Sequence, residues 1–393
     1  MQKITQDKII DYVLSLKSYS GGFVFQKPFN QRTVMSSAFS ILTLELVQGL
    51  AKIDNESEAN FFLNHQDNVT GFIIDPLLNK ATEPYDDIEI NYIHYQTTAF
   101  ALSALDALGF HPKYEFHFLN YYRNEKRLIN WFSDIDWSNP WHESNKIMFL
   151  LQFFSYDYIK NKNMNSKKYI TIILRELDKY QDVETGLWGT QFKASSFNAM
   201  AGTFHLLIFY KYFKQSIKYT DKIMDSVIPL QMKDGLFHPF GGGGACEDLD
   251  AIDILYKVVP TSSSDLDDMM IRSYDGLLNS QNDDGGFCWA KRPDRPISYG
   301  VPYLNPFSRI FNMDMFKWVL KRTVFGTVFP FLRDQNLYMY SNWDQMKYNI
   351  NQSDIWSTWF RLLAIATIEK KYPDLKKHDI NFQFRSIPSL GWL

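Results

Sequence analysis

The amino-acid sequence predicts an all-α protein folded as an (α/α)6 toroid, in which an inner ring of six helices is surrounded by an outer ring of six. Two observations support this prediction. A short glycine-containing phrase returns at intervals of roughly 50 residues, which lies in the period range of stacked helix arrays. Each copy separates one amphipathic helical pattern from one that is apolar around most of its circumference.

The repeated phrase consists of a polar cluster, a glycine, and then an aromatic residue or leucine. The clearest copies read QDVETGLW, QMKDGLF and QNDDGGF, and weaker copies read LKSYSGGF and QDNVTGF. The glycines of these five copies are Gly22, Gly71, Gly186, Gly235 and Gly285. The double-length gap after Gly71 contains a degenerate sixth copy around Asp136 and Trp137. We therefore predict one toroid domain over residues 1–393.

The segments before the copies carry charged residues on one face and apolar residues at helical spacing on the other, which is typical of exposed outer helices. They are residues 6–17, 56–65, 114–131, 167–180, 220–231 and 264–281. The segments after the copies are apolar but begin with polar residues, which predicts inner helices that are buried except at one end. They are residues 31–50, 94–109, 142–158, 192–213, 246–259 and 351–372.

In this arrangement the polar first turns of the inner helices meet at one mouth of the ring. Converging helix N-termini add positive dipole ends there, and these favour anionic groups. The simpler interpretation of each Ser, Thr or Asn in these turns is that it caps its own helix.

The composition argues against several classes of protein. The net charge is −3 with both signs interspersed, whereas a nucleic-acid surface needs a concentrated basic stripe. Two cysteines do not make a disulfide framework, which favours a reducing compartment. The N-terminus has no signal-peptide pattern. The sequence contains no run of about 18 apolar residues, so we predict no membrane-spanning helix. We expect a cytoplasmic protein that acts on a small molecule.

One segment departs from the repeat. Residues 289–350 form an insertion in the sixth repeat, rich in proline and aromatic residues. Long insertions in compact domains are usually functional or disordered, and this one is too aromatic to be disordered. Two interpretations remain open, a lid over the mouth and extra outer packing. Its apolar portion, residues 324–332, suggests a third, contact with a membrane surface.

The strongest chemical signal is the stretch GGGGACEDLDAIDIL, which starts at Gly241. On a helix, Cys246, Glu247, Asp250 and Asp253 lie opposite an apolar stripe and would face the cavity. Several carboxyl groups in one partly dry site cannot all ionise, so one should keep a raised pKa and act as an acid. The structural alternative is an acidic helix start that complements the dipole.

A second polar group opens the last inner helix, in the sequence SDIWSTWFR. Asp354 and Arg361 share one face of that helix, which would neighbour the helix of Cys246. Because a buried arginine needs a carboxylate partner, Arg361 is predicted to pair with Glu247 or Asp250. A clamp between Asp354 and Arg361 is the alternative.

Further polar and aromatic residues on the inner helices are candidates for substrate binding. These are His142, Glu143, Asn145, His94, Asn198, His205, Trp359 and Arg361. Each histidine has a structural alternative as a hydrogen-bonded core residue. No ligand pair has zinc-site spacing, so neither a metal nor another cofactor is predicted. The sequence also lacks a phosphate-binding loop and a G-x-S-x-G nucleophile motif.

The repeats, the toroid and the acid-bearing helix resemble those of the terpenoid cyclase and protein prenyltransferase superfamily over nearly the whole chain. Class II cyclases of the squalene–hopene type carry a D-x-D-D motif whose middle Asp protonates an alkene or epoxide. Asp248 matches the first Asp and Asp250 the middle one, whereas Ala251 replaces the last. The resemblance implies that Asp250 is a general acid tuned by Asp248, Glu247 and Asp253, and that aromatic rings stabilise the carbocations.

The protein prenyltransferases of this superfamily are a poorer match. Their zinc site uses an Asp two residues before a Cys, but Gly244 precedes Cys246 and Gly286 precedes Cys288 at that offset. We therefore favour a cyclase-like reaction on an isoprenoid. Two other classes stay open: a carbohydrate-active toroid that uses paired carboxylates as acid and base, and a toroid that binds a ligand without catalysis.

Overall fold

The computed structural model describes residues 4–27, 29–78, 90–238, 241–259, 264–291, 336–338 and 347–393. Its α-helices alternate between two layers. The outer helices are α1 (Gln6–Leu14), α3 (Asn55–Leu63), α5 (Glu125–Ser133), α7 (Met164–Leu177), α9 (Thr220–Val227) and α11 (Ser264–Leu278). The inner helices are α2 (Val34–Leu46), α4 (Ile90–Leu108), α6 (Pro140–Ile159), α8 (Ser196–Tyr212), α10 (Ala245–Val258) and α12 (Ile355–Lys371).

The inner helices form a closed ring. Contacts join α2 to α4, α4 to α6, α6 to α8, α8 to α10, α10 to α12, and α12 back to α2. Each inner helix is therefore enclosed by two neighbours and an outer layer. All 13 residues of α2 are buried, whereas Ile223 and Val227 are the buried residues of the eight in α9. This arrangement confirms the all-α toroid that the hydrophobic patterns predict.

The glycine phrases lie in the turns from outer to inner helices, as predicted, and each turn packs against the next outer layer. Gly71 and Gly235 have φ angles of 84° and 81°, which favour glycine. A Cβ at Gly235 would lie 2.1 Å from the carbonyl oxygen of Arg272 in α11. A Cβ at Gly285 would lie 2.3 Å from the carbonyl oxygen of Lys8 in α1. The last of these contacts joins the sixth repeat to the first.

The glutamine that begins most copies secures the same joint. The side-chain amide of Gln181 donates to the carbonyl oxygens of Gly186 and Lys218, both at 2.9 Å. Gln66 bonds in the same way to Gly71 and Tyr114, at 3.0 and 2.9 Å. One amide thus ties its own turn to the segment that leads into the next outer helix. This explains why the phrase carries glutamine and glycine at a constant offset.

Aromatic rings fill the centre of the ring. Phe39 of α2 packs against Phe100 of α4 and Trp356 of α12, with centroid distances of 4.7 and 4.5 Å. Phe100 also approaches Phe149 of α6 at 6.3 Å. The large aromatic content of the chain therefore serves in part to fill the space that the inner helices enclose.

Residues 373–393 lie across the C-terminal ends of the inner helices. Arg385 forms ion pairs with Glu45 near the end of α2, at 2.6 Å, and with Asp106 near the end of α4, at 3.0 Å. The ring of Trp392 lies 5.4 Å from that of Tyr212, the last residue of α8. This segment covers the base of the toroid, opposite the first turns of the inner helices.

Three short antiparallel strand pairs complete the described fold. They join β1 (Phe23–Val24) to β2 (Arg32–Thr33), β3 (Phe287–Cys288) to β6 (Ser353–Asp354), and β4 (Asn336–Tyr338) to β5 (Lys347–Asn349). The pairing of β3 with β6 brings the turn after α11 against the start of α12. Among the described helices, none is both long and apolar enough to cross a membrane.

Some predicted helix ends were wrong. The first inner helix begins at Val34 and not at residue 31, because β2 precedes it and Thr33 caps it. The third outer helix begins at Glu125 and not at residue 114, because the Asn124 side chain accepts a hydrogen bond from the Arg127 N–H at 3.0 Å. Most of the predicted insertion 289–350, including residues 324–332, lies outside the described residues, so its role stays a prediction.

The joint between the sixth and first repeats can be tested with one substitution and a matched control. Gly285→Ala should lower the free energy of unfolding by about 3 kcal/mol or more, because a left-handed alanine is strained and its Cβ meets the Lys8 carbonyl. Gly109→Ala has the same type of φ, 83°, but nothing within 4 Å of the added Cβ, and should cost about 1 kcal/mol. Urea unfolding measures both. Equal losses would contradict a close-packed joint.

Candidate active site

Aromatic contacts join the first turns of three neighbouring inner helices, α4, α6 and α8, and continue to the segment before α10. The rings of Tyr92 in α4 and His142 in α6 stack at 4.5 Å. Trp141 of α6 meets Phe197 of α8 at 5.9 Å, and Phe197 meets His238, which precedes α10, at 6.0 Å. The predicted convergence of these turns is therefore present in the structure, with aromatic rings as the contacts.

The glycine run before α10 makes room for two carboxyl groups. Gly241, Gly242 and Gly243 have φ angles of 74°, 75° and 75°. A Cβ at Gly243 would lie 2.6 Å from Asp248 Oδ2, and a Cβ at Gly244 would lie 2.3 Å from Glu247 Oε2. A side chain at either of these two positions would therefore displace a carboxyl group of the first helical turn.

Asp248 is the partner of Arg361. Its Oδ2 lies 2.5 Å from Arg361 Nη1, and both side chains are fully buried. The Asp248 carboxylate also accepts hydrogen bonds from the backbone N–H groups of Phe237, at 2.6 Å, and Gly244, at 3.1 Å. The prediction that Arg361 pairs with Glu247 or Asp250 was therefore wrong. Burial raises the pKa of Asp248 to about 6, although Arg361 and the two N–H groups lower it.

The alternative clamp between Asp354 and Arg361 was also wrong. Asp354 caps its own helix and accepts hydrogen bonds from the N–H and hydroxyl groups of Ser357, both at 2.7 Å. The remaining donors of Arg361 reach the carbonyl oxygens of Cys288, at 3.3 Å, and Trp289, at 2.6 Å. The arginine therefore joins α10 and α12 to the strand that follows α11.

Asp250 differs from the other acids of α10. It is 1 % exposed, and neither carboxyl oxygen has a hydrogen-bond partner among the described residues. Burial raises its pKa well above the usual value, and the neighbouring charges of Glu247, Asp253 and Asp248 raise it further. An unpaired carboxylate is very costly in such surroundings, so burial favours the neutral form of Asp250.

Glu247 precedes Asp250 by about one turn of α10 and therefore lies nearer the mouth. Its Oε2 accepts a hydrogen bond from the Cys246 thiol at 3.1 Å, and its Oε1 lies 3.9 Å from His238 Nε2. Burial raises its pKa to about 7. Glu247 can therefore gain or lose a proton near neutral pH, beside a carboxyl group that keeps its proton.

Asp253 is engaged in an ion pair with Lys257, one turn further along α10. Both side chains are buried, and burial raises the pKa of Asp253 while lowering that of Lys257. Asp253 Oδ2 has no hydrogen-bond partner among the described residues. The shared face predicted for the acids is present, but the carboxyl groups on it have different partners.

Several predicted binding residues contact other residues of α6 rather than the acids of α10. Glu143 is bonded to His142 Nδ1 at 3.1 Å and to Lys146 Nζ at 2.7 Å. Burial of Glu143 favours its neutral form, but these two partners outweigh burial and lower its pKa. The amide of Asn145 donates to the carbonyl oxygen of Trp141 at 3.0 Å. Glu143 is therefore an ionised, paired group.

The other predicted binding residues are mostly in packed positions. His205 is bonded to Ser144 at 2.8 Å, and burial lowers its pKa to about 3, so its ring is neutral. Trp359 packs on Phe39 at 5.3 Å. The ring of His94 lies 5.6 Å from that of Phe72. The geometry of His205 matches its structural alternative as a hydrogen-bonded core residue, and Trp359 is part of the aromatic packing.

Asn198 lies in the first turn of α8. Its backbone N–H donates to the Ser195 hydroxyl at 3.2 Å, and its side chain is half-buried. The position near the mouth agrees with the predicted arrangement of the inner helices. No described contact joins the Asn198 side chain to the acids of α10, so its binding role stays a prediction.

The sequence argument missed two residues at the site. His238 follows the repeat ending in Phe237, and Trp289 follows β3; their rings meet at 5.0 Å beside Glu247 and Arg361. Both come directly after a repeat phrase, in stretches that have no helical pattern. Among the described residues, no group of three or more His, Cys, Asp or Glu side chains is arranged to hold a metal ion.

The fold and its buried acids define a class of protein, an α/α toroid with an acid-bearing inner helix at its mouth. The family model of the prenyltransferase alpha-alpha toroid domain matches residues 1–100 and 78–296. The chain therefore belongs to this family, and the second matched range contains all of α10. No curated protein and no solved structure gives a significant match.

The different environments of Asp248 and Asp250 predict different stabilities for two isosteric variants. At pH 7, Asp248→Asn should lower the free energy of unfolding by about 3–5 kcal/mol, because it leaves the buried Arg361 charge uncompensated. At the same pH, Asp250→Asn breaks no hydrogen bond among the described residues and removes a carboxyl group whose neutral form burial favours, so it should not lower the free energy of unfolding. Urea unfolding distinguishes the two, and a loss of several kcal/mol in Asp250→Asn would show an ionised, paired Asp250.

The pH dependence of stability tests the protonation of Asp250. Above about pH 5 the unfolded carboxyl is ionised while the folded one keeps its proton, so stability falls as pH rises, by about 1.4 kcal/mol per pH unit from this group. The fall ends at the folded-state pKa. Asp250→Asn should remove this slope between about pH 5 and 7, where Glu247 and Asp248 contribute alike to both proteins. Identical slopes in the two proteins would contradict a neutral Asp250.

Proposed function

We propose that the chain is an enzyme that protonates an isoprenoid substrate, with Asp250 as the general acid, in a reaction like that of class II terpenoid cyclases. The observation that supports this proposal is the Asp250 carboxyl itself. It is buried on an inner helix without a hydrogen-bond partner among the described residues, and its pKa is raised well above the usual range. It also occupies the position of the middle Asp in the stretch DLDA.

A neutral carboxylic acid held against a substrate can donate its proton to a weak base such as an alkene or an epoxide. The O–H bond of Asp250 breaks as a new C–H bond, or an epoxide O–H bond, forms on the substrate. The substrate becomes a carbocation and Asp250 becomes a carboxylate. A proton returned from solvent or from the terminating step then restores the acid. Burial keeps the carboxyl group in its neutral form until the substrate binds, and the positive charge formed on the substrate then stabilises the nearby carboxylate.

The two acids closest in sequence take different parts in this proposal. Asp248 is occupied by Arg361 and by two backbone N–H groups, so it anchors the start of α10. Glu247, with a pKa of about 7, supplies the second carboxyl beside Asp250 that the family motif takes from its last Asp. The last Asp of the family motif would stand at Ala251, on the C-terminal side of Asp250. In this chain the second carboxyl group is that of Glu247, about one helical turn earlier and on the N-terminal side of Asp250.

Aromatic rings in the ring centre suit a cationic intermediate. Phe39, Phe100, Phe149 and Trp356 come from four of the inner helices and contact one another at 4.5–6.3 Å. The faces of such rings carry negative electrostatic potential, and they stabilise a nearby cation without acting as a nucleophile. A water-poor aromatic centre also protects a carbocation from early hydration.

Turnover by Asp250→Asn tests the proposal directly. The full chain is incubated separately with squalene, with 2,3-oxidosqualene and with geranylgeranyl diphosphate, and products are identified by mass spectrometry. Asp250→Asn should lower turnover of the accepted substrate by about 10²–10⁴-fold, since the amide cannot donate the proton. Asp275→Asn serves as the matched control, because Asp275 is a partly exposed carboxylate on the outer helix α11, where it pairs with Lys377 at 2.8 Å.

Other outcomes decide between the remaining classes. Full turnover by Asp250→Asn would overturn the role of this acid. Loss of activity toward a glycan in Glu143→Gln, but not in Asp250→Asn, would support a carbohydrate-active toroid. Tight capture of an isoprenoid by both variants without any product would support a binding protein.

A further inference from the structure

A cavity lies between α4, α5 and α6. It has a volume of about 340 Å³, within the range of small-molecule sites. Its lining comes from α4, α6, α5 and the segments on either side of α5, and it includes Tyr92, Tyr95, Tyr122, Trp131, Asp134, Glu143 and Lys146. None of its lining residues lies on α10 or α12, so this cavity is separate from the acids of α10.

Four of the nine lining side chains are aromatic. The rings of Tyr122 and Trp131 meet edge to face at 5.4 Å. The Tyr95 hydroxyl donates to the Tyr122 hydroxyl at 3.2 Å, which holds these two rings in place. Tyr92 is 1 % exposed, and its hydroxyl has no hydrogen-bond partner among the described residues. A buried hydroxyl in this state is suited to a ligand that supplies a partner.

The charged groups at the cavity carry a net negative charge. Asp134 and Glu143 contribute two carboxylates, and Lys146 contributes one ammonium, which leaves one negative charge in excess. The Lys146 ammonium is bound to Glu143 at 2.7 Å. Asp134 is exposed at the end of α5, so its charge is open to a ligand that enters from solvent.

We propose that this cavity binds a small organic cation of the alkylammonium type. Electron-rich ring faces attract such cations, and carboxylates at the rim complete the charge balance. A metal ion would require a cluster of ligands, and none is present among the described residues. A sugar would require several free donors and acceptors, whereas Glu143 is paired with Lys146 and the Tyr95 hydroxyl with that of Tyr122.

Isothermal titration of the full chain with choline tests the proposal without depending on turnover. The neutral control is 3,3-dimethylbutan-1-ol, which has the shape of choline but no charge. Choline should bind at least about tenfold more tightly than this alcohol, because the ring faces act on the charge. Equal affinity for the two compounds, or no heat with choline at about 10 mM, would overturn the proposal.

Substitutions in the walls locate the site. Trp131→Leu keeps an apolar side chain but removes the largest ring, and should weaken choline binding about tenfold. Tyr95→Phe keeps its ring and should change the affinity by less than about threefold. Unchanged affinity in Trp131→Leu would exclude this cavity as the site. Circular dichroism of each variant confirms that it is folded.

Charge variants separate cation binding from a structural effect. Asp134→Asn should weaken choline binding about threefold, whereas Asp136→Asn, two residues away and outside the lining, should leave it unchanged. Lys146→Met should strengthen binding, because it removes a like charge from the rim. A loss of affinity in Lys146→Met, or tighter binding of methyl glucoside than of choline, would overturn the proposal.

Discussion

The buried ion pair between Asp248 and Arg361 holds the candidate active site together. Two oppositely charged side chains that are buried away from water are tolerated only when their remaining hydrogen-bonding groups also have partners. Here Asp248 accepts two backbone N–H groups, and Arg361 donates to two backbone carbonyl oxygens. One pair thus connects the turn before α10, the start of α10, β3 and α12. The direction in which Asp250 points depends on this connection, since Asp250 lies two residues beyond Asp248 on the same helix.

The same pair explains why adjacent acids behave differently. Successive residues on a helix are separated by about 100°, so Asp248 and Asp250 cannot face the same partner. Asp248 faces the arginine and the glycine turn. Asp250 faces away from both and has no described hydrogen-bond partner. A helix with four acids in seven residues therefore contains one anchoring carboxylate, one lysine-paired carboxylate, and one acid whose pKa is raised by burial without a hydrogen-bond partner among the described residues. The fourth acid, Glu247, has a pKa of about 7.

The repeats and hydrophobic patterns were sufficient to predict the toroid, because each inner helix must be apolar around its circumference when it is enclosed on all sides. The shared face of Glu247, Asp250 and Asp253 also followed from helical spacing. The partner of Arg361 could not be predicted from helical spacing, because Glu247, Asp248 and Asp250 all lie within about one turn. A small rotation of α10 decides which of these carboxyl groups faces the arginine. The aromatic cavity beside α5 was missed for a related reason. It depends on α5 starting at Glu125, which local capping by Asn124 decides.

Residues 373–393 restrict access to the interior of the ring. In the described part of the chain they lie over the ends of α2, α4 and α8, so the toroid is closed on that side. In the proposed reaction, substrate and product would therefore both pass the N-terminal ends of the inner helices. Product would have to leave before the next substrate binds, so the rate of product release would set an upper limit on turnover.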